Sequence, residues 1–226
     1  MKTLKAVILT LLLLAASTLP LFAERIYPLD SSTVNSFDRI AMHSHSRGLD
    51  IAGDIACFAT MATPTVLLGL PSDQGHIVGI MYAETLALSL GASTLMKNLI
   101  HRDRPYLYFE GYPQNEVDSG ESGQSFPSRH SILAFASATF TSYVYSKYYP
   151  DSEWKIPIIA LSYGLAATTS ALRVMSGNHF LTDVLAGALI GTAIGLAVPA
   201  IHTTMDNRGN DMPNPPFGLM FSIVLD

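Results

Sequence analysis

The sequence is short of charge, of cysteine and of any strong excess of one sign. Lysine, arginine, aspartate and glutamate make up 14% of its 226 residues, well under the roughly one quarter usual in soluble domains, which points towards lipid. The 13 basic and 18 acidic residues leave a net charge of −5. That argues against nucleic acid as a partner, because binding to a phosphate backbone needs a basic excess. One cysteine, Cys57, excludes an intramolecular disulfide, and its apolar neighbours make it a small buried hydrophobe. Internal repeats, low-complexity tracts and an obvious domain boundary are also missing. Instead, the chain has apolar residues gathered in blocks, with 49% hydrophobic residues and a mean hydropathy of +0.30.

The first block is a leader. Lys2 and Lys5 precede an apolar run from Ala6 to Ala16, and the small residue Ala23 stands before Glu24. This is the pattern of a signal peptide over residues 1–23. Leu21 stands where a small residue is preferred, so a retained signal anchor is the alternative. Either version exports the rest of the chain, and residues 24–226 are expected to form one domain.

Five further apolar blocks lie at about 51–70, 77–96, 131–147, 156–172 and 181–202, each close to the roughly 20 residues that span a bilayer as a helix. The expected fold class is all-α: a bundle of about six helices, transmembrane, in which a retained N-terminal segment would be the sixth. Ser and Thr in the third block read as bundle-facing positions. Gly187, Gly191 and Gly195 at four-residue spacing in the last block read as a close-packing stripe. Crossing once per block from an exported N-terminus places the segments 97–130 and 173–180 on the same outer side, facing the periplasm.

Those two segments carry the chemistry. Lys97 and Arg104 lie seven residues apart and share a helical face if the helix persists to Pro105. In "SFPSRH", Ser128 is a fit N-cap after Pro127, and the first N–H groups of a helix starting there form a seat for phosphate. In "RVMSGNHFLTD", Arg173 precedes His179 and Asp183. On a helix the i, i+4 spacing lets Asp183 accept from one nitrogen of His179 and leave the other nucleophilic. Three cations, helix donors and the two imidazoles His130 and His179 match phosphoryl transfer, which rests on charge stabilisation and positioning. A metal at His130, His179 and Asp183 is disfavoured, because the cations would repel it.

Lys97-x6-Arg104-Pro105, Pro127-Ser128-x-His130 and Arg173-x5-His179-x3-Asp183, spanning about 87 residues, resemble the three-part signature of the type 2 phosphatidic acid phosphatase and vanadium haloperoxidase superfamily. The resemblance implies a metal-independent, cofactor-free phosphatase in which His179 forms a phosphohistidine, Asp183 orients it and His130 protonates the leaving alcohol. Lys97, Arg104, Arg173, Ser128 and the adjacent amide would hold the phosphate. It also implies a membrane enzyme whose substrate is a phosphomonoester or diphosphate of a lipid or isoprenoid carrier.

Two positions depart from the family pattern: Arg129 stands where Gly is usual, and Leu172 where Ser is usual. Arg129 becomes a fourth candidate cation for the phosphate. His101, Arg102 and Asp103 read as solvated helix-end residues, and His43 and His45 as a polar loop. Glu84, an ionisable group inside an apolar block, is either functional or a hydrogen-bonded structural residue. The alternatives are a soluble periplasmic acid phosphatase of broad specificity, a vanadate-dependent haloperoxidase, and a non-catalytic lipid-phosphate-binding protein.

Overall fold

The computed structural model describes residues 27–70 and 72–209. The leader at 1–23 and the apolar C-terminal tail lie outside the described residues. Seven α-helices run in chain order: α1 (Ser36–Arg39), α2 (Arg47–Met61), α3 (Ser72–Leu99), α4 (Gln114–Asp118), α5 (Arg129–Tyr148), α6 (Lys155–Met175) and α7 (Leu181–Gly209). There is no strand among the described residues, only an isolated bridge between Arg102 and Gln124. Four of the five apolar blocks each coincide with one long helix, and the first, 51–70, is divided between α2 and a 3-10 helix, Thr63–Gly69, so the all-α expectation holds.

α5 is the axis of the bundle, packed by α2, α3, α6 and α7. Its composition explains that place. Ala134, Ala136 and Ala138 are buried and let neighbours approach. The hydroxyls of Ser137 and Thr141 donate back to Leu133 O and Ser137 O, both at 2.8 Å, which satisfies them inside an apolar medium. Others bridge helices: Ser137 with Tyr82 of α3, Thr139 with Tyr163 of α6, and Thr141 with Thr63, each at 2.9 Å. The Ser and Thr of this block therefore face the bundle interior, as expected.

The outer faces are the reverse. Ile55, Phe58, Leu95, Leu161 and Leu189 are each more than 60% exposed. Four segments, Arg47–Gly69, Gln74–Leu99, Lys155–Met175 and Leu181–His202, are long and apolar enough to cross a membrane. A bundle with hydroxyls inside and bare aliphatic side chains outside has its solvent preference inverted. Glu84 is accounted for by His202, whose Nε2 lies 2.7 Å from its Oε2 and ties α3 to α7.

The glycine stripe sets the position of the site. A Cβ on Gly191 or Gly195 would run into the main chain of α5 at Ile132 or Ala136, and one on Gly187 would sit 2.7 Å from Ser128 O. Only glycine permits α7 to lie this close to α5. The contact brings the N-termini of both helices to the same end of the bundle, where Ser128 N donates to Asp183 O at 3.1 Å.

Candidate active site

Lys97 reaches this end from the last turn of α3, and there the helix stops. Arg104 does not share its helical face. The chain beyond Leu99 is non-helical, and Arg104 has extended backbone at the start of a 3-10 helix, Pro105–Tyr108. The two cations nonetheless meet, because the strand-like stretch at Arg102 pairs with the 122–125 loop that leads into α5. Lys97 Nζ donates to Gln124 O in that loop. Arg104 Nη1 donates to Asn178 Oδ1 at 2.8 Å and its Nε to Glu121 O at 3.2 Å.

Ser128 is the N-cap of α5, its Oγ accepting from Ser131 N at 3.4 Å. It is fully buried and does not line the cavity that opens at this end of the bundle. Arg129, the first residue of α5, does line it. No non-glycine residue among the described ones has positive φ, so the arginine that replaces the family's usual glycine sits in unstrained helical backbone.

His179 precedes α7 rather than lying on it. α6 ends at Met175, and Gly177 turns the chain with φ 76° in a place where a Cβ would strike the carbonyls of His43 and Ser44. Only glycine meets both demands. The turn buries His179 to 2% exposure. Its Nδ1 lies 2.8 Å from Ser125 O, and Asp183 Oδ2 is further off, at 3.7 Å. A carbonyl only accepts, so Nδ1 carries the proton and Nε2 presents its lone pair. The main-chain carbonyl, not Asp183 alone, therefore fixes the tautomer. Burial pushes the imidazole down to about 3, against the opposing pull of Asp183, so the ring stays neutral over most of the pH range.

Asp183 is completely buried and uses both carboxylate oxygens. Oδ2 accepts from Phe180 N at 2.8 Å, a capping-box contact at the start of α7, and from Ser125 Oγ at 2.5 Å. Oδ1 accepts from Arg102 Nη1. Arg102 is thus not a solvated helix-end residue. Its guanidinium also donates to Asp38 Oδ2 at 2.6 Å and Thr182 Oγ1 at 2.7 Å, and lies 4.1 Å over the Phe180 ring. Asp38 in turn accepts from Thr182 N at 2.9 Å, capping α7. Burial pushes the Asp38 carboxyl up, but hydrogen bonds from Thr182, Asn35 and Arg102 outweigh it and hold the group below its usual range. Nothing in local spacing ties Asp38 to Asp183, and sequence reading missed it.

A cavity of about 280 Å³ opens at this end, lined by Lys97, Arg104, Arg129, His130, Arg173 and His179, together with Asn178, Gln124 and four carboxylates: Asp50, Asp54, Glu116 and Glu121. Six of the eight residues singled out in the sequence meet there, and the other two, Ser128 and Asp183, stand directly behind. Arg173 is 4% exposed, its Nη1 donating to Asp50 and Asp54 Oδ1. Its Nε is buried with no partner among the described residues, a costly orphan donor in the cavity wall. Gly53, between the two aspartates on α2, makes room: a Cβ there would sit 3.1 Å from Arg173 Cδ. Four cations thus share the cavity with four carboxylates, two of which, Asp50 and Asp54, are engaged by Arg173.

The chain is similar to known proteins over the helices that carry these residues. Residues 79–206 match the family model of the PAP2 superfamily. A 76-residue stretch, 34% of this chain, is 33% identical to Lipid A 1-phosphatase of Porphyromonas gingivalis and spans 16% of that relative's length. The crystal structure of Aquifex aeolicus LpxE superposes with a TM-score of 0.50 at 20% identity, covering 72% of this chain and 92% of that one. The first transmembrane PAP2 type phosphatidylglycerolphosphate phosphatase from Bacillus subtilis aligns with a TM-score of 0.42 at 22% identity, over 71% of this chain and 89% of its own. The family match runs from α3 to α7 and takes in every one of the eight residues that the sequence singled out: the chain belongs to the PAP2 superfamily.

Proposed function

We propose that this protein is a phosphatase that hydrolyses a phosphomonoester or diphosphate of a lipid or isoprenoid carrier through a phosphohistidine on His179. The observation that carries the reading is the convergence of Lys97, Arg104, Arg129 and Arg173 with two imidazoles on one cavity. The cations hold the phosphoryl oxygens and take up charge as the transition state forms. His179 Nε2, unprotonated because Nδ1 faces Ser125 O, attacks phosphorus. Asp183 stabilises the charge that develops on the ring, and His130 gives a proton to the departing oxygen. Ser128 acts through the start of α5, whose N–H groups and dipole favour the anion.

Family membership supports the phosphatase chemistry, and the relative named for lipid A favours a lipid headgroup. The apolar outer belt of α2, α3, α6 and α7 favours a membrane enzyme over a soluble acid phosphatase, since patches of this extent do not stay in water. The leader-like N-terminal sequence and the parity of crossings support a site facing the periplasm from the inner membrane. A purely lipid-phosphate-binding protein would have no use for a second imidazole facing the first.

The test is phosphate release by purified protein in detergent from phosphatidate, phosphatidylglycerophosphate, undecaprenyl diphosphate and lipid A. At least one substrate is expected to turn over, and His179→Ala to lower its turnover by more than about 10³-fold. Activity that survives His179→Ala overturns the phosphohistidine, and a wild type inert on the whole panel overturns the enzyme.

A further inference from the structure

His130 has a carboxylate partner of its own. Asp54 reaches the cavity from α2, and its Oδ1 lies 2.8 Å from His130 Nε2 and 3.1 Å from Arg173 Nη1. Asp50, one helical turn earlier, takes Arg173 Nη1 and Asn178 Nδ2. The face of α2 carrying residues 50, 53 and 54 is therefore built against the site. A pair of carboxylates in a largely apolar span is a functional candidate; both accept from Arg173, and Asp54 also reaches His130.

Burial, and after it the charges of Arg173, Arg104 and Arg129, push the His130 imidazole well below its usual range and so disfavour its protonated form. A general acid must nevertheless carry a proton when the ester bond breaks. We propose that Asp54 is a positioning residue for His130: it accepts from Nε2–H, directs Nδ1 to the leaving oxygen and stabilises the imidazolium, so that the cavity works with two histidine–carboxylate pairs. The inference rests on the phosphatase reading.

Atoms and electrons balance over two half-reactions. His179 Nε2 forms a bond to phosphorus while the P–O ester bond breaks and its electron pair goes to the alkoxide oxygen. That oxygen takes the proton from His130 Nδ1, leaving a neutral ring still bonded to Asp54 through Nε2–H. In the second half-reaction water attacks phosphorus and gives its proton to the same Nδ1, while the P–N bond breaks and its electron pair returns to His179. Phosphate leaves and the imidazolium is restored. Ester plus water has become alcohol plus phosphate, with no net proton taken from the protein.

The experiment compares Asp54→Asn with wild type, as full-length protein in detergent, on two esters. One is phosphatidate, whose alkoxide needs a proton to leave. The other is p-nitrophenyl phosphate, whose phenolate departs without one. The readout is kcat/KM, which covers events up to loss of the leaving group. A fall of about 10- to 100-fold on phosphatidate, with less than about threefold on the nitrophenyl ester, is expected. The ratio of the two is independent of how much variant is folded. An equal fall on both esters overturns the proposal and makes Asp54 structural. No fall, or tighter substrate binding, also overturns it and makes Asp54 a competitor of the phosphate for the cations. If the wild type is inert on phosphatidate, the panel lipid it does hydrolyse takes its place, and a wild type inert on every lipid of the panel and on the nitrophenyl ester removes the phosphatase reading itself.

Discussion

Arg102 and Asp183, 81 residues apart in the chain, are joined by a hydrogen bond from the guanidinium to Oδ1. The other oxygen of Asp183 is left to Ser125, the Phe180 amide and the His179 ring. One guanidinium thus neutralises two fully buried carboxylates, Asp38 and Asp183, and divides the labour of the second.

Removing that cation should cost both stability and rate. Arg102→Met leaves two buried carboxylates without a counter-charge, expected to destabilise the fold by about 2–4 kcal/mol. Thermal unfolding in detergent reads this as a melting temperature lower by several degrees. Arg102→Lys restores charge but not the two-pronged geometry, so it should recover more melting temperature than turnover. Two variants that melt like wild type would show that the network carries little.

Acid should weaken the fold through His179. In the unfolded chain its imidazole protonates near 6.5, whereas burial in the fold pushes it down to about 3. Between those values the unfolded state binds more protons, so stability falls as pH falls from about 6.5 towards 3. Asp38, held below its ordinary 3.8, adds a loss of the same sign at the bottom of the range. Melting temperatures across this window are expected to decline with acid in wild type and to decline less in His179→Gln. A wild type that melts higher at low pH contradicts the assignment.

The glycine stripe gives a packing test with an internal control. Gly191→Ala places a methyl group against the main chain at Ile132, which forces α7 off α5 and is expected to cost about 1–3 kcal/mol. Because the same contact aligns the two helix N-termini, turnover should fall as well. Gly164 on α6 has nothing within 4 Å of its Cβ position, and Gly164→Ala should be neutral or stabilise by up to about 1 kcal/mol. Equal melting temperatures for the two variants would remove the close-packing account.

Arg129 lines the cavity from an unstrained first turn. Arg129→Gly is expected to raise KM by about three- to tenfold while changing kcat less, with the effect shrinking at high salt. A variant with wild-type KM would mean that this guanidinium does not touch the substrate.

Most of the bundle was legible because helices in a membrane are encoded locally. The blocks at 77–96, 156–172 and 181–202 are long apolar runs that each emerged as one helix, and the block at 51–70 emerged as α2 followed by the 3-10 helix Thr63–Gly69. The third, hydroxyl-rich block emerged too, as the one helix surrounded by the others, where back-bonded Ser and Thr are tolerated. The expectation that Lys97 and Arg104 share a helical face failed because α3 stops at Leu99, so those cations converge through loop pairing instead.

The residue types in the site were set by the sequence alone. Lysine, arginines and paired histidines at those spacings are the residues by which the sequence resembles its family, and the structure brings six of them to one cavity. Only the tertiary structure decided which groups hold them in place. Asp38, Asp50 and Asp54 act on residues 64, 123 and 76 positions away respectively (102 − 38, 173 − 50, 130 − 54). Helical periodicity carries no information over such distances. What selects those partners is the cost of burying a charge unpaired, and that cost exists only once α7 has closed against α5 and α2 has packed along α6.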